Sequence, residues 1–156
     1  MPHAPLTVLA IDPGSVKCGV AVVRRAPSGE PDPAAGQPPP ARHQVLHREI
    51  TERNRLVARV LPLVAAHAVD VVLVGDATGG AALRRALRDA LDPDLPVHAV
   101  DEAFTTQRAR QRFHFENPPR GWRRLVPPGF RTPPRPFDDY VAVLLAEDFF
   151  AANSAR

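Results

Sequence analysis

The chain has 156 residues, 44% of them hydrophobic, which suits one domain with a buried core. Its net charge is only +3, but nineteen of the twenty basic residues are arginine and Lys17 is the single lysine, which favours a polyanionic partner. Cys18 is the only cysteine, so an internal disulfide framework is excluded and a reducing, cytoplasmic location is expected. Neither a membrane span nor a signal peptide is expected.

The first part of the chain predicts three consecutive antiparallel strands. Residues 6–11 are an apolar run that ends at an Asp-Pro-Gly turn, and residues 19–23 are a second run, so the two predict a hairpin. Residues 26–42 contain six prolines and predict a long surface loop. Residues 44–50 alternate apolar and polar side chains, which predicts the third strand.

The middle of the chain predicts alternating helices and strands. Thr51 is the predicted N-cap of a helix with apolar residues at helical spacing, and Pro62 is expected to kink or end that helix early. Residues 70–75 predict a buried strand, residues 83–91 an amphipathic helix and residues 97–100 another strand. Right-handed crossovers pair such strands in parallel, so the last two strands are expected beside the first.

The C-terminal third predicts two further helices. Thr105 or Thr106 is expected to cap a helix that runs to about Phe113, and residues 138–150 predict a final helix, apolar almost all round, that packs on the sheet. Residues 117–136 contain seven prolines, and no regular element is expected there.

These elements predict an α/β fold with a five-stranded mixed sheet, three antiparallel strands followed by two parallel ones, and helices on both faces. The expected organisation is a single domain over residues 1–156, with Pro-rich loops at 26–42 and 117–136.

Three acidic residues, Asp12, Glu102 and Asp138, fall at the ends of predicted elements that share one edge of the sheet. Taken alone, each residue also has a purely structural explanation. Asp12 is typical of the turn before Gly14, Glu102 is typical of a solvated loop, and Asp138 or Asp139 is typical of a helix cap. Clustered carboxylates are also the hard ligands that hold Mg²⁺ or Mn²⁺ and leave positions for water and phosphate. Two such ions, roughly 3.5–4 Å apart, support phosphodiester hydrolysis. The cluster therefore predicts a metal-dependent nuclease.

Three segments resemble the YqgF (RuvX) family of the ribonuclease H-like superfamily, which is related to the RuvC junction resolvases. Residues 8–15 (Val-Leu-Ala-Ile-Asp-Pro-Gly-Ser) and 19–22 (Gly-Val-Ala-Val) are similar to the family's metal-binding first hairpin. Residues 100–106 (Val-Asp-Glu-Ala-Phe-Thr-Thr) resemble its Asp-Glu-Arg-Leu-Thr-Thr segment, and residues 138–145 resemble its closing helix. The resemblance spans nearly the whole chain in the expected order.

The resemblance implies a ribonuclease H-like fold and a catalytic, metal-binding role for Asp12, Glu102 and Asp138. It implies either maturation of ribosomal RNA precursors or cleavage of branched DNA such as Holliday junctions, by a monomer or a homodimer, and the sequence does not choose. Asp139 and Asp76 are further candidate metal ligands, because one adjoins Asp138 and the other ends a strand where related ribonucleases H carry an acid. A helix N-cap is the competing interpretation of Asp76.

Two departures from the family pattern affect substrate handling more than metal binding. Ala103 stands where the family usually has arginine after the glutamate, and residues 75–80 lack the family's Gly-x-Pro loop.

Basic residues cluster in residues 104–137, where eight arginines accompany one acid, Glu116. Arginine would contact phosphate while Trp122 stacks on a base. A solvated loop around a buried tryptophan is the competing interpretation, and a GC-rich genome would also enrich arginine. The candidate nucleic-acid-binding residues are Lys17, Arg108, Arg112, Arg120, Arg123, Arg124 and Trp122.

Two rival functions come from other classes. One is a catalytically inert nucleic-acid-binding domain of the same fold, against which the intact acidic trio argues. The other is a phosphate-transfer enzyme of the actin and sugar-kinase type, since Asp-x-Gly-Ser also resembles its phosphate loop. Those proteins use two copies of the fold and this chain has room for one, and no P-loop motif is present.

Overall fold

A mixed five-stranded sheet lies at the centre of the computed structural model, which describes residues 4–26, 43–77, 79–102, 105–118, 120–125, 127 and 138–154. The strands are β1 (Leu6–Asp12), β2 (Lys17–Arg25), β3 (His43–Glu52), β4 (Val71–Gly75) and β5 (Val97–Val100). The first three pair antiparallel, and β4 and β5 add in parallel on the other side of β1. The order β3-β2-β1-β4-β5 confirms the predicted α/β class and topology.

Helices cover both faces of this sheet, as predicted. They are α1 (Leu56–His67), α2 (Gly80–Ala90), α3 (Thr105–Glu116) and α4 (Asp138–Ser154). Along β1, Val8 and Ala10 pack in one core with α3 and α4, whereas Leu9 and Ile11 pack in a second core with α1 and α2. A strand buried on both faces has no polar side to show, which explains why β1 is a continuous apolar run. None of the described helices is both long and apolar enough to cross a membrane.

Thr51 is not a helix N-cap, and that prediction is wrong. The third strand is longer than predicted and includes Thr51, which pairs with Cys18, while Glu52 pairs with Lys17. Pairing with the full length of β2 outweighs the capping preference of the threonine hydroxyl. Helix α1 starts at Leu56, after a short 3-10 turn, and lacks a side-chain cap.

Pro62 does not end helix α1 either. The helix continues to His67 with Pro62 on its exposed side. A proline inside a helix removes one hydrogen bond. The packing of Leu56, Val60 and Leu63 in the core offsets that loss.

The C-terminal third contains more regular structure than predicted. Helix α3 continues past Phe113, because the main-chain N–H of Asn117 donates to the Phe113 carbonyl at 2.8 Å and its side-chain amide donates to the same oxygen at 3.0 Å. Helix α4 also runs one turn further than predicted. Gly121–Leu125 forms a 3-10 helix in the stretch where no regular element was expected.

Some predictions fall outside the described residues. They concern residues 27–42 of the first Pro-rich loop, residues 119, 126 and 128–136 of the second, and the capping side chains of Thr105 and Thr106.

Candidate active site

Asp12 is the last residue of the central strand β1. Because β1 lies between β2 and β4, its carboxyl end opens in the middle of the sheet edge, where ligands bind in sheets with parallel strands. The turn that follows is tight, since a Cβ on Gly14 would overlap the main-chain oxygen of Lys17. Asp12 is half-buried there.

Glu102 reaches the same edge from the end of β5. Its carboxylate lies against Gly75, the last residue of β4, where a Cβ would overlap the Glu102 Oε1 atom. The main-chain N–H of Ala77 donates to that oxygen at 3.5 Å, and the main-chain N–H of Glu102 donates to Asp76 Oδ1 at 3.3 Å. Glycine at position 75 therefore leaves the space through which Glu102 approaches β1.

Asp138 begins α4, and a close approach to β2 sets its position. A Cβ on Gly19 would overlap the main-chain carbonyl of Asp138. Gly19 is also the residue paired with Asp12 between β1 and β2. The first turn of α4 thus lies over the strand residue opposite Asp12.

Both other carboxyl groups act on Asp12, which lies in the middle of the edge. Burial raises the pKa of Asp12 to about 7, and the charges of Glu102 and Asp138 add to the shift. Burial also raises the pKa of Glu102, with added repulsion from Asp76 and Asp101. Like charges within a few ångströms disfavour ionisation in this way.

The pKa of Asp138 is also raised, first by burial and then by Asp139, while Lys17 lowers it. Lys17, predicted to contact nucleic acid, is exposed and lies near enough to this carboxyl group to act on it electrostatically.

The carboxylate oxygens at this edge of the sheet are suitable ligands for a divalent ion, although they do not surround a single ion position. Among the residues that the structure describes, no three acidic, histidine or cysteine side chains stand where they could share a metal ion. Carboxylates without a cation repel one another. The residues that would hold Mg²⁺ or Mn²⁺ are oxygen donors from three different elements, as such ions prefer.

The two additional acids predicted as metal ligands differ in their placement. Asp76 is exposed at the end of β4 and accepts the hydrogen bond from Glu102, so it borders the site. It is not a helix cap, because α2 begins after Gly79 without a side-chain cap. Asp139 is buried and pairs with Arg48 of β3, Nε to Oδ2 3.1 Å, so its carboxylate is already engaged by a cation.

Two of the predicted nucleic-acid-binding arginines are in ion pairs within the protein. Arg108 of α3 pairs with Asp148 of α4 at 2.8 Å. Arg112 pairs with Glu116 at 3.0 Å and with Glu147 at 2.8 Å. The pairs with Asp148 and Glu147 join α3 to α4, and all three pairs leave less of each guanidinium for a phosphate.

The other candidates lie on or beside the 3-10 helix. Trp122 is 74% exposed, which contradicts the competing interpretation of a buried tryptophan. Arg120 and Arg124 are exposed, and the side chain of Arg123 lies outside the described residues. This short segment therefore presents an aromatic ring together with basic groups.

Sequence patterns missed four residues that shape the site. Gly19 and Gly75 permit the close approaches of Asp138 and Glu102, and a glycine inside a strand is itself a signal for such an approach. Arg48 pairs with Asp139, and Arg53 donates to the Gly14 carbonyl. Both contacts join residues far apart in sequence, so no periodic pattern or motif predicts them.

Neither a protein-family model nor a curated protein sequence matches the chain. Solved structures do. The Thermus thermophilus RuvC structure is 19% identical in sequence, with a TM-score of 0.58, and the match covers 96% of this chain and 97% of the RuvC chain. The T. thermophilus RuvC complex with a Holliday junction substrate is 21% identical with a TM-score of 0.53, covering 94% and 96%. The fowlpox virus resolvase bound to Holliday junction DNA is 11% identical with a TM-score of 0.56, covering 94% and 98%. The chain therefore has the ribonuclease H-like fold of RuvC-type resolvases.

Proposed function

We propose that the protein is a divalent-metal-dependent nuclease that hydrolyses phosphodiester bonds in structured nucleic acid. The observation that carries the proposal is the position of Asp12 at the sheet edge, where burial first, and then the charges of Glu102 and Asp138, raise its pKa to about 7. Three acids far apart in sequence lie at one sheet edge, where burial and the charges of the other two oppose the ionisation of Asp12. Such an arrangement is typical of functional sites.

In this proposal Asp12, Glu102 and Asp138 hold Mg²⁺ or Mn²⁺, and Asp76 borders them. Ions bound there would supply an activated water and neutralise charge on the leaving oxygen. Gly75 and Gly19 let the carboxylates come together. Asp139 is not among the proposed ligands, because the ion pair with Arg48 engages it.

Nucleic acid would bind through Lys17 beside Asp138 and through the exposed segment with Arg120, Trp122 and Arg124. Arginine contacts phosphate and an exposed indole stacks on an unpaired base. Branched DNA is the first substrate to test, because two of the similar structures hold Holliday junctions. Structured precursor RNA is the second, because of the resemblance to the YqgF family.

The test is incubation of the purified protein with labelled four-way junction, duplex DNA, single-stranded DNA and structured RNA, with Mg²⁺, with Mn²⁺ and with EDTA. We expect cleavage only with metal, and none by Asp12→Asn. That variant should still bind the substrate in EDTA, since the basic residues are unchanged. Asp94→Asn is the matched control, because it removes one charge from an exposed loop. Full cleavage by folded Asp12→Asn protein contradicts the proposed site.

The rival function is a binding domain of the same fold without catalysis. The observation in its favour is that no three carboxylates among the described residues are placed where they could share an ion. Wild-type protein that binds a junction but never cleaves it, with either metal, would establish this rival.

Symmetric cleavage of a four-way junction needs two active sites, and therefore a dimer. Light scattering of the protein, alone and with a junction, measures the oligomeric state. A monomer in both measurements would favour cleavage of one strand at a time.

A further inference from the structure

Arg53 connects the two loops that border the acidic edge. It follows β3 directly, and its Nη1 donates to the Gly14 carbonyl at 2.8 Å while its Nη2 donates to the Gly79 carbonyl at 2.9 Å. Its main-chain N–H donates to the Val16 carbonyl at 2.8 Å. One side chain therefore holds the turn between β1 and β2 and the loop between β4 and α2.

Each of these loops starts at the end of a strand that borders the acidic site. Gly14 lies two residues after Asp12, and Gly79 lies in the loop that starts with Asp76 and Ala77. Ala77 in turn donates to the Glu102 carboxylate. The separation of the two loops is thus linked to the separation of Asp12 and Glu102.

The Arg53 guanidinium and two of the acids act on a common group, the thiol of Cys18. Within the part of the chain that the structure describes, none of the ion pairs involves Arg53. The Cys18 thiol shares the Gly14 carbonyl with Arg53, at 3.8 Å. Burial raises the pKa of that thiol, Arg53 lowers it, and the charges of Asp12 and Asp138 raise it, so all three act at one sulfur.

We infer that Arg53 is a positioning residue, which clamps the loop after Asp12 to the loop beside Glu102 so that the two carboxylates face a common ion. The inference rests on the proposed nuclease function. A planar guanidinium reaches two carbonyls in fixed directions, whereas the ammonium of lysine is a compact point charge on a flexible stem. Arginine rather than a general positive charge is therefore required.

The experiment compares Arg53→Ala and Arg53→Lys with wild type on whichever substrate the wild type cleaves. Arg59→Ala and Arg59→Lys are the matched controls, because Arg59 also makes two guanidinium hydrogen bonds, both to Glu49. We expect both Arg53 variants to lose about 10- to 100-fold in kcat, the usual effect of removing a group that orients metal ligands, with KM changed less than about twofold. The Arg59 variants should retain wild-type kcat.

A kcat within about twofold of wild type in Arg53→Lys would overturn the clamp, since charge alone would then suffice. A raised KM with unchanged kcat would also overturn it, because Arg53 would then be a substrate contact. Amide hydrogen exchange supplies a readout independent of cleavage. Exchange should become faster at residues 14–16 and 79–80 in both Arg53 variants and stay unchanged in the Arg59 variants.

These measurements separate the clamp from the function on which it rests. If wild-type protein cleaves no substrate with either metal, the proposed function fails, and the exchange experiment still decides the clamp. Unchanged exchange in both segments of folded Arg53→Ala protein would overturn it.

Discussion

The guanidinium of Arg48 forms an ion pair with the buried carboxylate of Asp139, Nε to Oδ2 3.1 Å. The same guanidinium lies 4.1 Å from the ring centroid of Tyr140. Successive residues on a helix project about 100° apart, so Asp138 and Asp139 face different surroundings. The first influences Asp12 at the site, and the second fastens the start of α4 to β3.

Replacing Arg48 by alanine should destabilise the protein by about 2–4 kcal/mol. The change removes the guanidinium from the buried carboxylate of Asp139 and from the ring of Tyr140, and the loss is moderated because Arg48 is partly exposed. Urea denaturation measures it. Arg108→Ala is the control, since its ion pair with Asp148 is about half exposed and should contribute less than about 1 kcal/mol. Equal losses in the two variants would show that the burial of Asp139 does not matter.

Asp12→Asn should stabilise the metal-free protein, increasingly so as the pH rises. The pKa of Asp12 is raised from 3.8 to about 7, so between these values the folded state holds a proton that the unfolded chain has released. The stability that Asp12 contributes is therefore fully present below pH 3.8 and is lost as the pH rises towards 7. Asparagine loses nothing over this range.

The check is the melting temperature in EDTA at several pH values. The difference between Asp12→Asn and wild type should be near zero at pH 4 and positive at pH 8, by about 2–4 °C for each kcal/mol that burial and repulsion of the ionised carboxyl cost the wild type. Asp94→Asn should show no such trend. A difference independent of pH would mean that the Asp12 carboxyl is not strained by burial and its neighbours.

Gly75→Ala should abolish metal-dependent cleavage in a protein that still folds. The new methyl group would occupy the position of the Glu102 carboxylate, and this side chain can turn away more easily than β4 can move. Calorimetric titration with Mn²⁺ and the cleavage assay measure the effect. Gly121→Ala is the control for Mn²⁺ binding alone, because it lies in the segment proposed to bind nucleic acid; a Cβ there meets nothing within 4 Å and costs about 1–2 kcal/mol for its positive φ. Normal Mn²⁺ binding by Gly75→Ala would remove Glu102 from the proposed ligands.

Replacing Arg120, Arg123 and Arg124 together by alanine should weaken nucleic-acid binding and flatten its salt dependence. Each lost contact with duplex phosphate lowers the slope of log K against log salt by about 0.9. Fluorescence anisotropy in EDTA at several salt concentrations measures it. A variant lacking Arg108 and Arg112 should change the slope less, because those side chains already pair with acids. The reverse order would place the nucleic acid along α3 and α4 instead.

Local patterns in the sequence were sufficient for the fold. The apolar runs around Val8 and Val72 predicted the two buried strands, and the strand-helix-strand order predicted their parallel pairing, because few connections are sterically allowed. Boundaries were harder to predict. Thr51 has the chemistry of a cap, yet it extends β3, since its pairing partner Cys18 lies 33 positions earlier in the chain.

The sequence by itself determined which carboxylates fall at one edge of the sheet, because strand order and strand direction follow from patterns that are local. Only the tertiary structure decided that Arg48 engages Asp139 and not Asp138, that Gly75 leaves space for Glu102 and that Arg53 joins two loops. Those assignments depend on space and charge contributed by distant segments. The Arg48 ion pair with Asp139 and the space above Gly75 exist only once β3, β4 and α4 have packed together.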